Sequence, residues 1–256
     1  MRAIIPPTDT EYVSSLLSSP PRPHTPAIMS TITTLNLQDH IEGGHFVETD
    51  RDPLRVPNPF KSRAQVPNAT AQDPAPEDTR NASTTIYYLV TPRSPVGYFH
   101  RNRARTVHTL HWGRGRYVVL HHVDRASAAP SSSSPSGEAA VPGKVKVEVE
   151  TFVVGKDLAR GERLQWIVEG DKFKASFLLP DENENENGDG TAGESEKGCL
   201  ISETVVPGFE YADHDFLTAE QFVESLDADA REELKWLVRR DERERLDEVV
   251  NAMRLT

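Results

Sequence analysis

Apolar and polar residues alternate along much of the middle of the chain, which predicts β-strands. In residues 145–153 four valines fall on one face, while Lys146, Glu148 and Glu150 fall on the other. This is the pattern of a strand with one buried face. Similar patterns predict strands over 84–90, 107–110, 116–120, 163–168, 173–179 and 200–206. Many short strands with no helix between them predict an all-β sandwich or barrel.

The spacing of apolar residues changes to that of a helix near the C-terminus. Thr218 and Gln221 match a helix-capping box. From Phe222 to Met253 the apolar residues recur mostly every three or four positions. We therefore predict that residues 218–256 form a short amphipathic helical extension of two or three helices packed on the β-domain.

The remaining segments predict a tail and inserts. Residues 1–30 contain prolines at six positions and no long apolar run, which predicts a disordered N-terminal tail. The proline-rich residues 52–80 predict a loop. Low-complexity inserts are predicted near 125–143 and 181–198, because neither segment buries enough apolar surface to offset the entropy of ordering it. The predicted β-domain therefore extends over 31–217.

Charge and cysteine content narrow the function classes. The chain has 256 residues, with 29 Lys and Arg against 40 Asp and Glu, for a net charge of -11. This acidity argues against nucleic acid and anionic membranes as partners. One cysteine, Cys199, argues against a disulfide framework and fits a small apolar residue at a strand start. With no apolar run near the ~20 residues of a membrane helix, we expect a cytoplasmic protein, with a nuclear pool as the alternative.

Four segments carry a family resemblance. They are HIEGGHFVET at 40–49, TIYYLV at 85–90, FHR at 99–101 and VPGFEYADH at 206–214. In order and spacing they resemble the signature segments of a branch of the RmlC-like cupins, the fifth-numbered cupin family, long described as a domain of unknown function. The resemblance implies a double-stranded β-helix, or jelly roll, from about residue 34 to 217. It also implies a homodimer.

The resemblance bears on metal binding as well. Many cupins hold a divalent metal through two histidines and a glutamate in a first motif and a histidine in a second. Here Tyr98 stands at the first histidine position, His100 at the second, Thr106 at the glutamate position, and Phe173 near the last. Since one ligand of four is retained, we predict no metal and no other cofactor. A shift of the alignment by a few residues would let another histidine contribute.

The first motif also contains many arginine and histidine side chains. Residues 97–122 contain no Asp or Glu, five arginines and five of the nine histidines. Strand alternation predicts that Thr106 and His108 point into the barrel. His100 is the second candidate, because it stands at a family ligand position. The alternative is that His108 is a hydrogen-bonded core histidine and that the arginines form a solvated face.

These residues lead to three hypotheses. The first is a barrel that binds a small anionic or polyhydroxylated ligand, as a metal-independent enzyme like the sugar-nucleotide epimerases and isomerases. His100 or His108 would be its base and Tyr98 its acid. The second is a non-catalytic binding or scaffold protein, and the third a metal-dependent oxygenase or isomerase. Cationic, carboxylate and aromatic groups suit such a ligand, and the candidate ligand-binding residues are Glu48, Arg101, Trp166, Lys174 and Glu203.

Overall fold

The computed structural model describes residues 3–20, 22–60, 78–122, 147–181 and 195–254. The predicted insert at 125–143 and most of the one at 181–198 lie outside the described residues. None of the helices within these ranges has the length and apolar character needed to cross a membrane.

Two antiparallel sheets form the predicted jelly roll. The described residues contain strands β1 Gln38–Asp39, β2 His45–Arg51, β3 Arg55–Pro57, β4 Thr79–Asn81, β5 Thr84–Val90, β6 Val96–Asn102, β7 Arg105–Trp112, β8 Gly115–His122, β9 Val147–Val154, β10 Gln165–Val168, β11 Phe173–Leu178, β12 Cys199–Val206 and β13 His214–Phe216. The six-stranded sheet has the order β1-β2-β5-β12-β7-β10, and the five-stranded sheet the order β13-β6-β11-β8-β9. Strands β3 and β4 pair separately, within the segment predicted to be a loop.

Side chains from both sheets fill the space between them. Aromatic rings form the centre of this core, with Tyr117 stacked on Phe152 at 5.8 Å and in edge contact with Trp166 at 4.7 Å between centroids. Cys199, at the start of β12, is a buried member of the same core, as predicted. One end of the barrel interior is therefore packed with apolar groups.

Six α-helices lie among the described residues. They are α1 Pro7–Ser18, α2 Pro26–Leu35, α3 Ala219–Ser225, α4 Ala228–Leu234, α5 Arg240–Glu244 and α6 Leu246–Arg254. Helices α3 to α6 confirm the C-terminal extension, and Thr218 and Gln221 form the predicted capping box. Phe222 and Leu234 are fully buried against Phe99 and Phe177 on the outer face of the five-stranded sheet. The apolar face of the extension is thus occupied by its own barrel, which leaves less of it for a scaffold function.

The N-terminal segment corrects the prediction of a disordered tail. Helices α1 and α2 begin at Pro7 and Pro26. Proline is compatible with the first helical position, because its fixed φ suits the helix and its missing N–H has no partner there in any case. Val13 and Ile5 are fully buried with the C-terminal helices in the core outside the five-stranded sheet. The apolar face of α1 therefore docks on the barrel, and α2 covers the other sheet.

Truncation at Ile5 tests this docking. Ile5 is 1% exposed, and we expect Ile5→Ala to lower the free energy of unfolding by about 2 to 5 kcal/mol, because it leaves a cavity. Leu17, on α1, is 46% exposed, so Leu17→Ala should change it by less than about 0.5 kcal/mol. Urea unfolding measures both values. Equal, small effects of the two variants would contradict the docked N-terminus.

Candidate functional site

The ammonium group of Lys174 lies at the centre of a polar layer inside the barrel. Lys174 is on β11 of the five-stranded sheet, and it reaches across to β12 and β7 of the other sheet. Its Nζ donates to Glu203 Oε2 at 2.6 Å and to His108 Nε2 at 2.7 Å. Exposure of the three residues is 2% for Lys174, 6% for Glu203 and 0% for His108. Lys174 therefore connects the two sheets through a buried ion pair.

Strand register explains how these side chains meet. Glu203 pairs with His108 across β12 and β7, and His108 pairs with Trp166 across β7 and β10. Paired residues point to the same side of a sheet, so all three enter the interior at one level. The predicted inward direction of Thr106 and His108 is confirmed by their burial. The imidazole of His108 stacks on the Trp166 indole at 5.1 Å, which separates the polar layer from the aromatic core.

The ionisation of this group follows from its surroundings. Burial lowers the pKa of His108, and the charge of Lys174 lowers it further. Burial raises the pKa of Glu203, but Lys174 and His108 outweigh that effect and bring this pKa well below its usual range. At neutral pH the group therefore contains a Lys174–Glu203 ion pair and a neutral His108, whose Nε2 accepts from the ammonium.

A second polar cluster surrounds the carboxylate of Glu42. His214 Nε2 donates to Glu42 Oε1 at 2.7 Å. His100 Nε2 lies 3.2 Å from Oε2, and His40 Nδ1 lies 3.5 Å from it. The rings of His100 and His214 stack at 5.4 Å. One carboxylate therefore contacts three imidazoles, with side-chain exposures of 14% for His40 and 7 to 9% for the others.

A tight turn places Glu42 in this cluster. Gly43 and Gly44 have φ values of 97° and 72°, which only glycine adopts readily. A Cβ on Gly43 would lie 2.0 Å from the Val96 carbonyl oxygen, so the turn lies directly on β6. Tyr98 N donates to the Glu42 carbonyl at 2.8 Å. The turn thereby fixes Glu42 beside His100.

His214 is held from the opposite side by another buried ion pair. It starts β13 directly after Asp213, whose carboxylate accepts from both terminal nitrogens of Arg80, with Nη2 to Oδ1 at 2.9 Å. Arg80 is 5% and Asp213 4% exposed. Because a buried charge needs a partner, this pair fixes the loop that delivers His214 to Glu42.

The two clusters form one polar layer. Lys174 is the cross-strand partner of His100. Burial lowers the pKa of His100 to about 3; the Glu42 carboxylate opposes this shift, whereas Lys174 and His214 act in the same direction as burial. Burial raises the pKa of Glu42, but His100, His40 and His214 outweigh it and bring this pKa to about 2. At neutral pH Glu42 is ionised and His100 is neutral.

The tautomer of His100 follows from its hydrogen bond. Its Nδ1 lies 2.8 Å from the carbonyl oxygen of Tyr98, which can only accept. The proton of the neutral ring is therefore on Nδ1, and Nε2 carries a lone pair beside the Glu42 carboxylate. A nitrogen of this kind accepts a proton, and the nearby carboxylate stabilises the resulting imidazolium.

The structure brings together five of the eight residues that the sequence singled out. Those in the interior are His100, His108, Trp166, Lys174 and Glu203. Tyr98 is not among them, because a register shift in β6 turns its side chain toward the outer core with Phe99. Arg101 lies on the outer face, where it binds Asp215 at 2.7 and 2.8 Å. Glu48 is exposed and pairs with Arg51 at 2.8 Å.

The arginines of the first motif do not make the interior positive, contrary to the expectation for an anion pocket. Acidic residues from other parts of the chain pair with four of the five arginines. These pairs are Arg101 with Asp215, Arg105 with Glu169, Arg114 with Glu162 and Arg116 with Asp9. The positive charge of one segment does not predict the charge of the interior, because distant segments contribute the partners of its arginines.

Glu42, His40 and His214 were not identified as site residues from the sequence. Glu42 and His214 lie 172 positions apart, so no local spacing connects them. The available signal was that all three lie in segments 40–49 and 206–214, which carry the family resemblance. The segments that carry the family resemblance therefore also contribute the side chains of the Glu42 cluster.

The polar layer does not fit the metal site that many cupins have. No group of three or more His, Cys, Asp and Glu side chains within the described ranges could hold a metal ion. The imidazole nitrogens around Glu42 approach its two oxygens, and the ammonium of Lys174 occupies the place beside His108. A cation at that position repels a divalent metal.

Comparisons with known proteins agree with this fold. A family model described as "Cupin superfamily (DUF985)" matches residues 29–217. The uncharacterized protein YML079W of Saccharomyces cerevisiae is 38% identical over 207 residues, covering 80% of this chain and 83% of the yeast protein. A hypothetical protein from Leishmania major is similar at 27% identity and TM-score 0.50, covering 75% of this chain and 88% of that one. Protein SO0799 from Shewanella oneidensis, at 23% identity and TM-score 0.50, covers 82% and 96%.

The acid sensitivity of the Glu42 cluster is testable. Histidine ordinarily binds a proton near pH 6.5, whereas His100 in the fold does so near 3. Between these values the unfolded chain binds more protons, so the free energy of unfolding falls as the pH falls, by up to about 1.4 kcal/mol per pH unit. Glu42 acts in the same direction between pH 4.5 and about 2.

We expect urea unfolding at about pH 7, 6 and 5 to show this slope. His100→Asn should lower the slope by up to about 1.4 kcal/mol per pH unit, because asparagine does not titrate. The part contributed by His24, His45 and His108, whose pKa values are also lowered by burial, should remain. His111, exposed on β7, offers the matched control, and His111→Asn should leave the slope unchanged. An unaltered slope in His100→Asn would contradict the assignment of His100 as a buried neutral imidazole.

A double-mutant cycle tests the ion pair between the sheets. Lys174→Met leaves Glu203 buried without its cation and should lower the free energy of unfolding by about 3 to 5 kcal/mol. Adding Glu203→Gln to that variant should recover part of the loss. Lys235→Met, at an exposed pair with Glu232, should cost less than about 1 kcal/mol. Additive losses from the two buried substitutions would show that Lys174 and Glu203 are not coupled.

Proposed function

The chain belongs to the cupin superfamily branch DUF985, and we propose a function for the interior of its barrel. In this proposal the barrel binds a small polyhydroxylated carbonyl compound and transfers a proton at the carbon next to the carbonyl. The reaction class is that of a metal-independent epimerase or isomerase. The observation that supports it is the buried, ionised Glu42 beside the neutral His100, within one layer with Lys174.

His100 is the base in this proposal. Its Nδ1–H is bonded to the Tyr98 carbonyl, which leaves the lone pair on Nε2 for the substrate proton. Glu42, 3.2 Å away, stabilises the imidazolium that forms. His214 donates to the other carboxylate oxygen and fixes its orientation. The side chain of Tyr98 takes no part, because it packs outside the barrel.

Lys174 polarises the substrate carbonyl in this scheme. Removal of the α-proton places negative charge on the carbonyl oxygen, and an ammonium in a low-dielectric site stabilises that charge. The charge of Lys174 is one cause of the low pKa of His100. An oxyanion beside Lys174 offsets this effect, so the pKa of His100 rises as the proton moves toward it. The base therefore becomes stronger as the reaction proceeds.

The charges of the layer favour an uncharged ligand over an anionic one. Among the described residues, the layer contains one ammonium, that of Lys174, and two carboxylates, those of Glu203 and Glu42, both of which are ionised. An anion would be repelled by this excess. Carboxylates and imidazoles instead match the hydroxyl groups of a sugar-like molecule, which donate and accept in turn. We therefore favour the polyhydroxylated form of the predicted ligand.

Exchange of substrate hydrogen for solvent deuterium tests the proposal. The protein is incubated in D₂O with separate aldoses, ketoses and α-hydroxy ketones, and proton NMR follows the signal of the α-hydrogen. We expect loss of that signal with at least one compound. Glu42→Gln should slow the exchange by about 100-fold or more, whereas Glu48→Gln, the same change at an exposed site, should leave it unchanged.

Two outcomes would reject this function. If no compound exchanges and none raises the melting temperature, the barrel does not bind this class. If a compound binds without exchange, and Glu42→Gln weakens that binding, the barrel is the non-catalytic binding protein of the second hypothesis.

A further inference from the structure

A cleft separate from the barrel interior lies beside the segment that joins α1 to α2. Its volume is about 810 Å³, which is within the range of small-molecule sites. One wall is the joining segment, and the other comes from the β5–β6 turn, the end of β7 and the residues before β12. None of the residues of the Lys174 and Glu42 clusters lines it.

Among the described residues, cationic side chains outnumber acidic ones at the rim of this cleft. They are Arg22, Arg93, Lys156 and Lys197, all of them exposed. The acidic lining residues among those described are Asp181 and Glu196, and Asp181 is bonded to Ser195 Oγ at 3.1 Å and to Glu196 N at 2.9 Å. In a chain with a net charge of -11, such a local excess of positive charge favours an anionic ligand.

A buried polar group in the wall lacks a partner. His24 lines the cleft, and its Nδ1 is buried with no hydrogen bond among the described residues. Its ring makes an edge contact with His45, 92% buried on β2, whose Nε2 is also without a partner. His45 Nδ1 lies 3.0 Å from Asp39. Buried imidazole nitrogens are normally satisfied, so these two mark a polar position in the wall whose hydrogen-bonding capacity is not used by the described residues.

The cleft also offers a flat apolar surface. Trp112 lines it, together with Pro20, Pro23, Pro92 and Pro95. Proline walls are rigid, and an indole stacks on planar rings at little entropic cost. The first turn of α2, through Thr25 and Ile28, completes the lining, and its dipole favours a negative group nearby.

We propose that this cleft binds a nucleoside diphosphate. The pyrophosphate would contact the rim cations Arg93 and Lys156, and the base would stack on Trp112. The cationic rim that would bind the pyrophosphate and the aromatic wall that would stack on the base belong to the same cavity. The proposal is independent of proton transfer in the barrel, so either can fail without the other.

Titration calorimetry with ADP and with inorganic pyrophosphate tests this site in the full chain at about 0.15 M salt. We expect both to bind at one site per chain. Arg93→Glu should weaken both by at least about ten-fold, because it replaces attraction by repulsion. Arg240→Glu, the same change at an exposed position on α5, should alter either affinity by less than about two-fold.

Trp112→Leu separates stacking from charge. It should weaken ADP by at least about five-fold, consistent with loss of base stacking, and leave pyrophosphate within about two-fold. Unchanged melting temperatures would show that the variants are folded. No binding of ADP at millimolar concentration would overturn the proposal. Equal losses from Arg93→Glu and Arg240→Glu would also overturn it, because they would indicate attraction to the whole surface.

Discussion

The buried ion pair between Lys174 and Glu203 is the constraint on which the interior depends. A charge removed from water is tolerated only with a close partner of opposite sign, and here the partners come from different sheets. The pair therefore restricts the separation of the sheets at one level of the barrel. Trp166 and Tyr117 close the apolar side of that level, and His100 and Glu42 continue it on the polar side.

This arrangement depends on elements that lie outside the barrel. The five-stranded sheet has apolar side chains on both faces, so its outer face needs a cover. Helices from both ends of the chain supply it, with Val13 of α1 and Phe222 of α3 buried in one core. The family match covers residues 29–217, so α1 and the C-terminal helices lie outside it and complete the packing.

Much of the fold was predictable from local pattern, and the part that was not has identifiable causes. Period-two alternation identified strands such as β7, where burial alternates along Arg105–Trp112, because burial on one face leaves that signature. The helical N-terminus was missed, because Pro7 and Pro26 were interpreted as breakers although both stand at helix starts. At the site, alternation alone placed His108 inward. Tyr98 was misplaced, because an irregularity in β6 changes which side chains face the barrel.

The charges show most clearly what local sequence cannot supply. Residues 97–122 are basic by themselves, yet four of their five arginines are paired with Asp9, Glu162, Glu169 and Asp215. The interior then contains the neutral His100 and His108 together with Lys174 and the ionised Glu203 and Glu42. Such a layer has little capacity to capture an anion by charge, but it contains both proton acceptors and groups that stabilise charge. The charge of the barrel interior is therefore set by pairings between distant parts of the chain, and the proposed acid–base role of His100 and Glu42 depends on these pairings.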